Sequence, residues 1–434
     1  MSRKIVSDET NSSESIVHHH RNSSMKWFIW GLTAIFYLYE TMLRVSPSVM
    51  TQQLMTEFIV TSTSLGVLSS FYYYSYVPLQ IPCGLLVDRF GIRKILTLSC
   101  SLCIMGTLMF SQSETLIAAQ IGRFLLGAGS ACAFISCLKV SSDWFLPTQF
   151  ALIAGLTNMM GTFGGLASGY PLASMINAFG WRETNFYLAL AGVPILTCLY
   201  FFLKQKKQNT IAFSKPHFKD SFFAVAKNSQ IWLSGIIGGF MYLPISAFAE
   251  LWGVPFFMSA YNINNEAASS ISHLIFIGMA LGSPFAAWMV KKFNSIKLVM
   301  LYSSTLCVIF FGIIALAGYF PLSVAYAVVA FSGFLLGGQV LCFTLSKNHA
   351  SESISATAIG FTNALVMLSG IIFQPLMGHI LDIFWNGQLH QNGMRLYDIT
   401  AYRMSILTIP LCFMTNTILI FFVKEAPKNY VGQK

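Results

Sequence analysis

Charge is scarce in this chain. Only 10% of its 434 residues are Asp, Glu, Lys or Arg, against about a quarter in an ordinary soluble domain. A water-soluble fold of this length would lack the charge to cover its surface. That excludes a soluble enzyme, a disordered chain and a nucleic-acid-binding domain. Acidic residues are the scarcer kind, 16 against 26 basic ones. No Gly-x-x-x-x-Gly-Lys-Ser/Thr phosphate loop occurs, so ATP is not the expected driver. Residues 1–25 are polar, rich in Ser, Asn and His, and have no apolar core that would read as a signal peptide. His18, His19 and His20 adjoin one another there and read as a solvated tail; no metal site or cofactor is expected.

Apolar residues are abundant. They make up 55% of the chain, and the mean hydropathy is +0.63. A membrane-crossing helix needs about 20 of them in a row. Twelve such runs occur, near 27–48, 64–87, 93–111, 115–139, 150–173, 184–203, 231–258, 268–290, 297–319, 322–346, 357–382 and 405–423. They are too long and too evenly apolar for the alternating strands of a membrane barrel. The expectation is an all-α membrane protein with twelve spans. All nine cysteines fall within or at the ends of these runs and read as small buried hydrophobes, with neither a disulfide framework nor a zinc site.

An even number of spans puts both termini on one side. The loops on that side hold 21 of the 26 Lys and Arg residues. The five on the far side are Arg44, Arg123, Arg182, Arg395 and Arg403. The positive-inside rule then makes the termini cytoplasmic. Segment 204–230 is the longest polar stretch between spans and carries six Lys. It divides a first bundle, 26–203, from a second, 231–423, with tails at 1–25 and 424–434. Phe218, Phe222 and Phe223 in it suggest a short amphipathic helix on the inner leaflet.

The halves repeat. Phe124-Leu-Leu-Gly127 matches Phe334-Leu-Leu-Gly337, and Gly155-Leu-Thr-Asn158 matches Gly360-Phe-Thr-Asn363. Glu40 in the first span matches Glu250 in the seventh. A parallel repeat of two six-span halves is a transporter architecture, with the solute path between the halves.

The loop after the second span reads Gly84-Leu-Leu-Val-Asp88-Arg89-Phe-Gly91-Ile-Arg93-Lys94. It resembles the signature loop of the major facilitator superfamily. Arg123-x-x-x-Gly127 resembles that family's second motif, and Gly180-Trp181-Arg182 is also familiar from it. The resemblance covers essentially the whole chain. It implies two pseudo-symmetric six-helix bundles, alternating access, a monomer, and a cytoplasmic gate at Gly84, Asp88, Arg89, Gly91, Arg93 and Lys94. The second-half loop, Ala287 to Lys297, lacks the acid, so its gate contact is expected to be missing. In the fifth span Tyr170 interrupts the Gly-Pro step that antiporters of the family often carry, which favours import. The stretches around Glu40 and Arg44, and Ala249-Glu250-Leu-Trp252, are similar to a branch containing nutrient transporters of intracellular bacteria and to the lysosomal dipeptide transporter. That implies a bacterial inner membrane and an amino acid or dipeptide as cargo.

Ionisable groups inside spans are costly and mark candidate sites. Glu40 and Arg44 lie one helical turn apart and can pair with each other. Alternatively, Arg44 meets an anionic group of the solute while Glu40 meets a cationic one or a proton. Glu250 has no basic neighbour in its own span and is the first choice for proton coupling or for an α-amino group. Arg123 can bind a carboxylate of the solute or pair with Glu40. Tyr39, Tyr73, Tyr76 and Trp252 are candidates to line a side-chain pocket, together with the repeat-related Asn158 and Asn363. His273 and His379 are placed outside the site. The reading is a secondary transporter for proton-coupled uptake of a small polar nutrient. The alternatives are an exporter of a drug or siderophore-like compound, and a uniporter.

Overall fold

The computed structural model describes residues 2–146, 149–203, 218–351, 354–390 and 392–425. Within these ranges side chains are described from Ser24 onward, except those of Ile81, Leu85, Asp88, Phe150, Ala151, Phe218, Lys219 and Ala356. The side chains of the histidines at 18–20, and all of the first part of the linker, 204–217, therefore lie outside what is described.

Helices account for most of the described residues. The first, Ser2–Val45, becomes apolar near Trp27. The second span, Ser62–Phe90, is preceded on the far side by a short helix, Thr51–Phe58, bent 112° from it. The third is Ile92–Ser111 and the fourth is Leu116–Trp144. Leu152–Phe202 forms one apolar stretch of 51 residues. It is two spans, because Gly180 at φ 82° breaks it, a conformation glycine adopts without steric cost. The second half follows as Ser229–Tyr261, Asn265–Phe293, Ile296–Ala315, Leu322–Asn348, Ser355–Ile383 and Ile399–Phe421. Among the described residues the count is twelve, as the hydrophobic runs predict.

The internal repeat shows in the packing. The fourth span breaks at Ala131–Cys132, between helices Leu116–Ser130 and Ala133–Trp144. The tenth breaks at the corresponding place, where Gly337–Val340 is a 3₁₀ turn. At or just before each break a glycine lets backbones meet: an added Cβ would overlap the Tyr72 carbonyl at Gly127 and the Gly282 backbone at Gly337. Arg182, opening the sixth span, donates to the carbonyls of Ser111 and Ser113 at the end of the third. Arg403, in the twelfth, donates to the Ala317 carbonyl at the end of the ninth. These two far-side arginines tie corresponding helix pairs in the two halves.

The halves meet most closely on the side opposite the termini. There the second span packs antiparallel against the eleventh. At Gly66 an added Cβ would lie 2.5 Å from the Gln374 carbonyl oxygen, and at Gly378 it would overlap that of Ser62. Asp382, at the end of the eleventh span, accepts from Thr63 N at 2.9 Å and Thr63 Oγ1 at 2.5 Å, in the first turn of the second span. Tyr397 donates to the same carboxylate, and Arg395 Nη1 lies 3.2 Å from it. On the fifth and eighth spans, Gly165 and Gly169 abut Phe276 and His273. Toward the terminus side the second–eleventh contact opens. Asn363 Nδ2 still donates to Gln80 Oε1 at 2.9 Å. One turn further on, Gly84 and Gly360 fall in register, yet a Cβ on either would meet nothing within 4 Å.

Two expectations need correction. Cys83 and Cys132 are disulfide-bonded, with Cα atoms 5.4 Å apart. The break in the fourth span brings Cys132 beside the second, a proximity that chain spacing does not reveal. The linker does hold a short helix, Phe218–Ala226. It does not simply lie on the leaflet: Phe222 packs on Phe361 of the eleventh span, and Val225 is fully buried, while Phe223 faces outward.

Candidate functional site

The polar cluster begins with the first span, which buries Glu40 and Arg44 at 0% and 6% exposure. They share a helix face but do not bond to each other. Arg44 Nε lies 3.2 Å from Glu250 Oε1, across the boundary between the halves. Tyr73 donates to the other oxygen of Glu250. Glu250 therefore has a cation after all, supplied by the opposite half. The repeat explains why the sequence hid it: the seventh span has no base of its own and occupies the place facing the first.

Glu40 is held differently. Tyr72 donates to its Oε2 at 3.1 Å, and Thr41 Oγ1 lies 3.2 Å from Oε1. Among the described residues no cation lies within ion-pair distance of it. Arg123 is not its partner. The Arg123 guanidinium donates to the carbonyls of Leu43 and Arg44, each at 3.1 Å, and lies over the Tyr72 ring at 5.4 Å. Those carbonyls belong to the last turn of the first span, where acceptors have no partner within the helix. Arg123 thus braces the end of the helix that carries Glu40 and Arg44.

The three side chains keep spare bonding capacity. Arg44 Nε, Glu250 Oε1 and Arg123 Nε lack an aligned hydrogen-bond partner, although all are buried. A buried polar atom without such a bond costs about 1–3 kcal/mol. This cluster is therefore a candidate site for a polar solute.

The aromatic candidates separate. Tyr73 joins the cluster, and Tyr76 stacks on Tyr72 at 5.3 Å. Tyr72 itself, which reaches Glu40, belongs with the site as well. Tyr39 does not: its hydroxyl donates to the Leu188 carbonyl and fastens the first span to the sixth. Trp252 is a neighbour of Glu250 in the chain, but its indole donates to the Gln374 carbonyl at 3.0 Å. Asn363 bridges to Gln80, toward the terminus side of the cluster. Its repeat mate Asn158 is half-buried and makes no side-chain bond to the cluster. Two residues were missed. Tyr242 is buried near both Arg44 and Glu250, and Gln374 bonds to the turn that carries Glu250. Pro375, next to Gln374, marks a helix irregularity and was the available signal.

In the motif after the second span, Gly91 at φ 86° ends the helix, and its N–H bonds the Val87 carbonyl. Arg89 lies over the Phe90 ring and Arg93 over that of Tyr200, and Lys94 is exposed. The Asp88 side chain lies outside the described residues. His273 is buried on the far side, within 3.5 Å of Ser48, and stands apart from the cluster.

Comparison with known proteins places this architecture. The human lysosomal dipeptide transporter MFSD1 is 23% identical over 398 residues, spanning 86% of this chain and 82% of that protein. The hexuronate transporter of Bacillus subtilis is 27% identical over 350 residues, 74% of this chain and 80% of its own. A bacterial homolog of the human lysosomal transporter Spinster, solved inward-facing and unoccupied, has the same fold with a TM-score of 0.77 at 14% identity. It covers 92% of this chain and 97% of that one. Residues 29–384 match the family model of the Major Facilitator Superfamily, so the chain belongs to that family of multi-pass membrane transporters, which are not enzymes.

Proposed function

We propose that this transporter takes up a small zwitterionic solute, an amino acid or dipeptide, together with a proton. The observation that carries the reading is the ion pair of Arg44 and Glu250. It joins the two halves across their buried boundary. Halves that rock must release it, and stranding one partner of a buried pair costs about 3–5 kcal/mol. A zwitterion replaces it charge for charge: its carboxylate meets Arg44 and its ammonium meets Glu250. Arg offers a fork of donors suited to a carboxylate.

Proton coupling moves in this reading from Glu250 to Glu40. Glu40 is held by hydroxyls alone, and these can turn to accept as well as donate. Taking up a proton there strands no buried cation. The same event at Glu250 would leave Arg44 unpaired.

In this reading the chain sits in a bacterial inner membrane as a monomer. With the Lys-rich side inward, the closure by Asp382 faces outside and the parting of Gly84 from Gly360 faces the cytoplasm, which supports a state open to the cytoplasm. The gate at Gly84–Lys94 closes when the far side opens. A sugar acid is the second reading. It is favoured by the two buried arginines and by the name of the hexuronate relative.

The test is uptake of labelled amino acids, dipeptides and hexuronates into proteoliposomes, with and without an inward-acid gradient. Expected is gradient-driven uptake of a zwitterion, lost in Glu250→Gln. Glu40→Gln should keep counterflow but lose the response to the gradient. Uptake that ignores the gradient in wild type makes the protein a uniporter. Hexuronate uptake without zwitterion uptake selects the sugar acid. No uptake of any of them points to export and overturns the proposal.

A further inference from the structure

The two repeat-related acids sit in different backbones. Glu40 lies in an ordinary α-helix, but Glu250 lies in a π-helical stretch, Pro244–Trp252, with all nine residues buried. A π turn holds one residue more than an α turn, so it rotates the remainder of the helix by about 100° about the axis. Such turns are rare and need outside support. Pro244 opens this one and brings no N–H.

The support comes from the eleventh span. Gln374 Nε2 donates to the Ser246 carbonyl at 2.6 Å. In an α-helix that carbonyl would take the N–H of Glu250, four residues on. At the far end of the stretch, Trp252 donates its indole N–H to the Gln374 backbone carbonyl at 3.0 Å. Glu250 lies between these two fastenings. The amide also faces the other half, with Ser70 Oγ of the second span 3.4 Å from Gln374 Oε1. Gln374 is 1% exposed, where an amide is costly unless its bonds are made.

We infer that Gln374 is a positioning residue for the transport site: its amide holds the widened turn of the seventh span and so aims Glu250 at Arg44 and Tyr73. The inference rests on the reading of Glu250 as a solute-binding group. Among the described residues Gln374 bonds to Ser70, Trp252 and Ser246 and not to the cluster's charged side chains, so it acts through the turn. The contact with Ser70 makes this aim sensitive to how the second and eleventh spans lie against each other. When they part on the far side, the turn loses part of its support.

Two measurements test it. The first needs no solute: melting temperatures of purified wild type, Gln374→Met, Glu250→Gln and the double variant. If the amide works through Glu250, the loss from Gln374→Met falls by roughly half or more once Glu250 is Gln. Additive losses would overturn the inference. The second is zwitterion uptake. Gln374→Met should raise KM roughly tenfold with Vmax little changed, the loss of about 1.4 kcal/mol of binding. Gln374→Glu has the same shape but lacks the donor when ionised. It should transport poorly at neutral pH and recover in acid, where its hydroxyl can donate to Ser246. An unchanged KM, or no recovery in acid, would also overturn it. If no zwitterion is carried by wild type, the functional reading fails while the melting cycle still decides the role of Gln374.

Discussion

Replacing Asp382 with Asn should open the far side. The wild-type carboxylate accepts from the backbone and hydroxyl of Thr63, from Tyr397 and from Arg395. It therefore caps the second span of one half with a group from the eleventh span of the other. Asn caps a helix about as well as Asp, but with its Oδ1 on Thr63 its NH2 must face Arg395 and Tyr397, so the contact with Arg395 is lost. Losing a negative charge at a helix N-terminus costs about 0.3–1 kcal/mol. The Arg395 contact is partly exposed, with the Arg395 side chain at 34%, and adds at most about 1 kcal/mol. Together these make about 1–2 kcal/mol, or a roughly 5- to 30-fold shift in the balance between far-side-closed and far-side-open states. The assay is pulsed electron–electron resonance on nitroxides at Gln112 and Asn386, exposed far-side positions in the two halves. Asp382→Asn should lengthen the main distance, and a matching pair on the terminus side should shorten. Unchanged distributions on both sides would refute the argument that this carboxylate holds the halves together.

Four more outcomes are expected. Gly378→Leu pushes a side chain into the Ser62 backbone, so it should favour the far-side-open state in the same resonance assay while still inserting in the membrane. Arg182→Leu removes ties to Ser111, Ser113 and Glu57; the melting temperature should drop, with KM unaltered. Alkylation without reductant, followed by peptide mapping, should recover Cys83 linked to Cys132 and the described free cysteines, Cys100 and Cys103 among them, modified singly. Arg123→Lys should impair uptake, because one ammonium cannot reproduce the planar fork that meets two carbonyls of the first span; uptake equal to wild type would remove Arg123 from the bracing role.

Much of this molecule was legible along the chain. Insertion into a bilayer depends on apolar content summed over about 20 residues, a local property, so twelve spans could be read from their own residues. The repeat was legible for a related reason. Equivalent spans meet equivalent neighbours, and glycines such as Gly127 and Gly337 return where backbones touch. The charged groups Glu40, Arg44, Arg123 and Glu250 were legible as well, because such groups are expensive inside a span and therefore rare; Asp382, at the end of the eleventh span, was not singled out.

Partner choice was not legible. Arg44 had Glu40 one turn away in its own helix, and nothing in the spacing favoured Glu250, which is 206 positions further along the chain. The meeting of the first and seventh spans decides it, and so does the widened turn that rotates Glu250 toward the boundary. The disulfide depends in the same way on a break in the fourth span, and Tyr39 was drawn out of the site by a carbonyl on the sixth. By itself the sequence determined which residues enter the membrane and which of them carry charge, because those energies are sums over neighbours in the chain. Only the tertiary structure decided which charges face one another, because an ion pair depends on a separation of a few ångströms between helices.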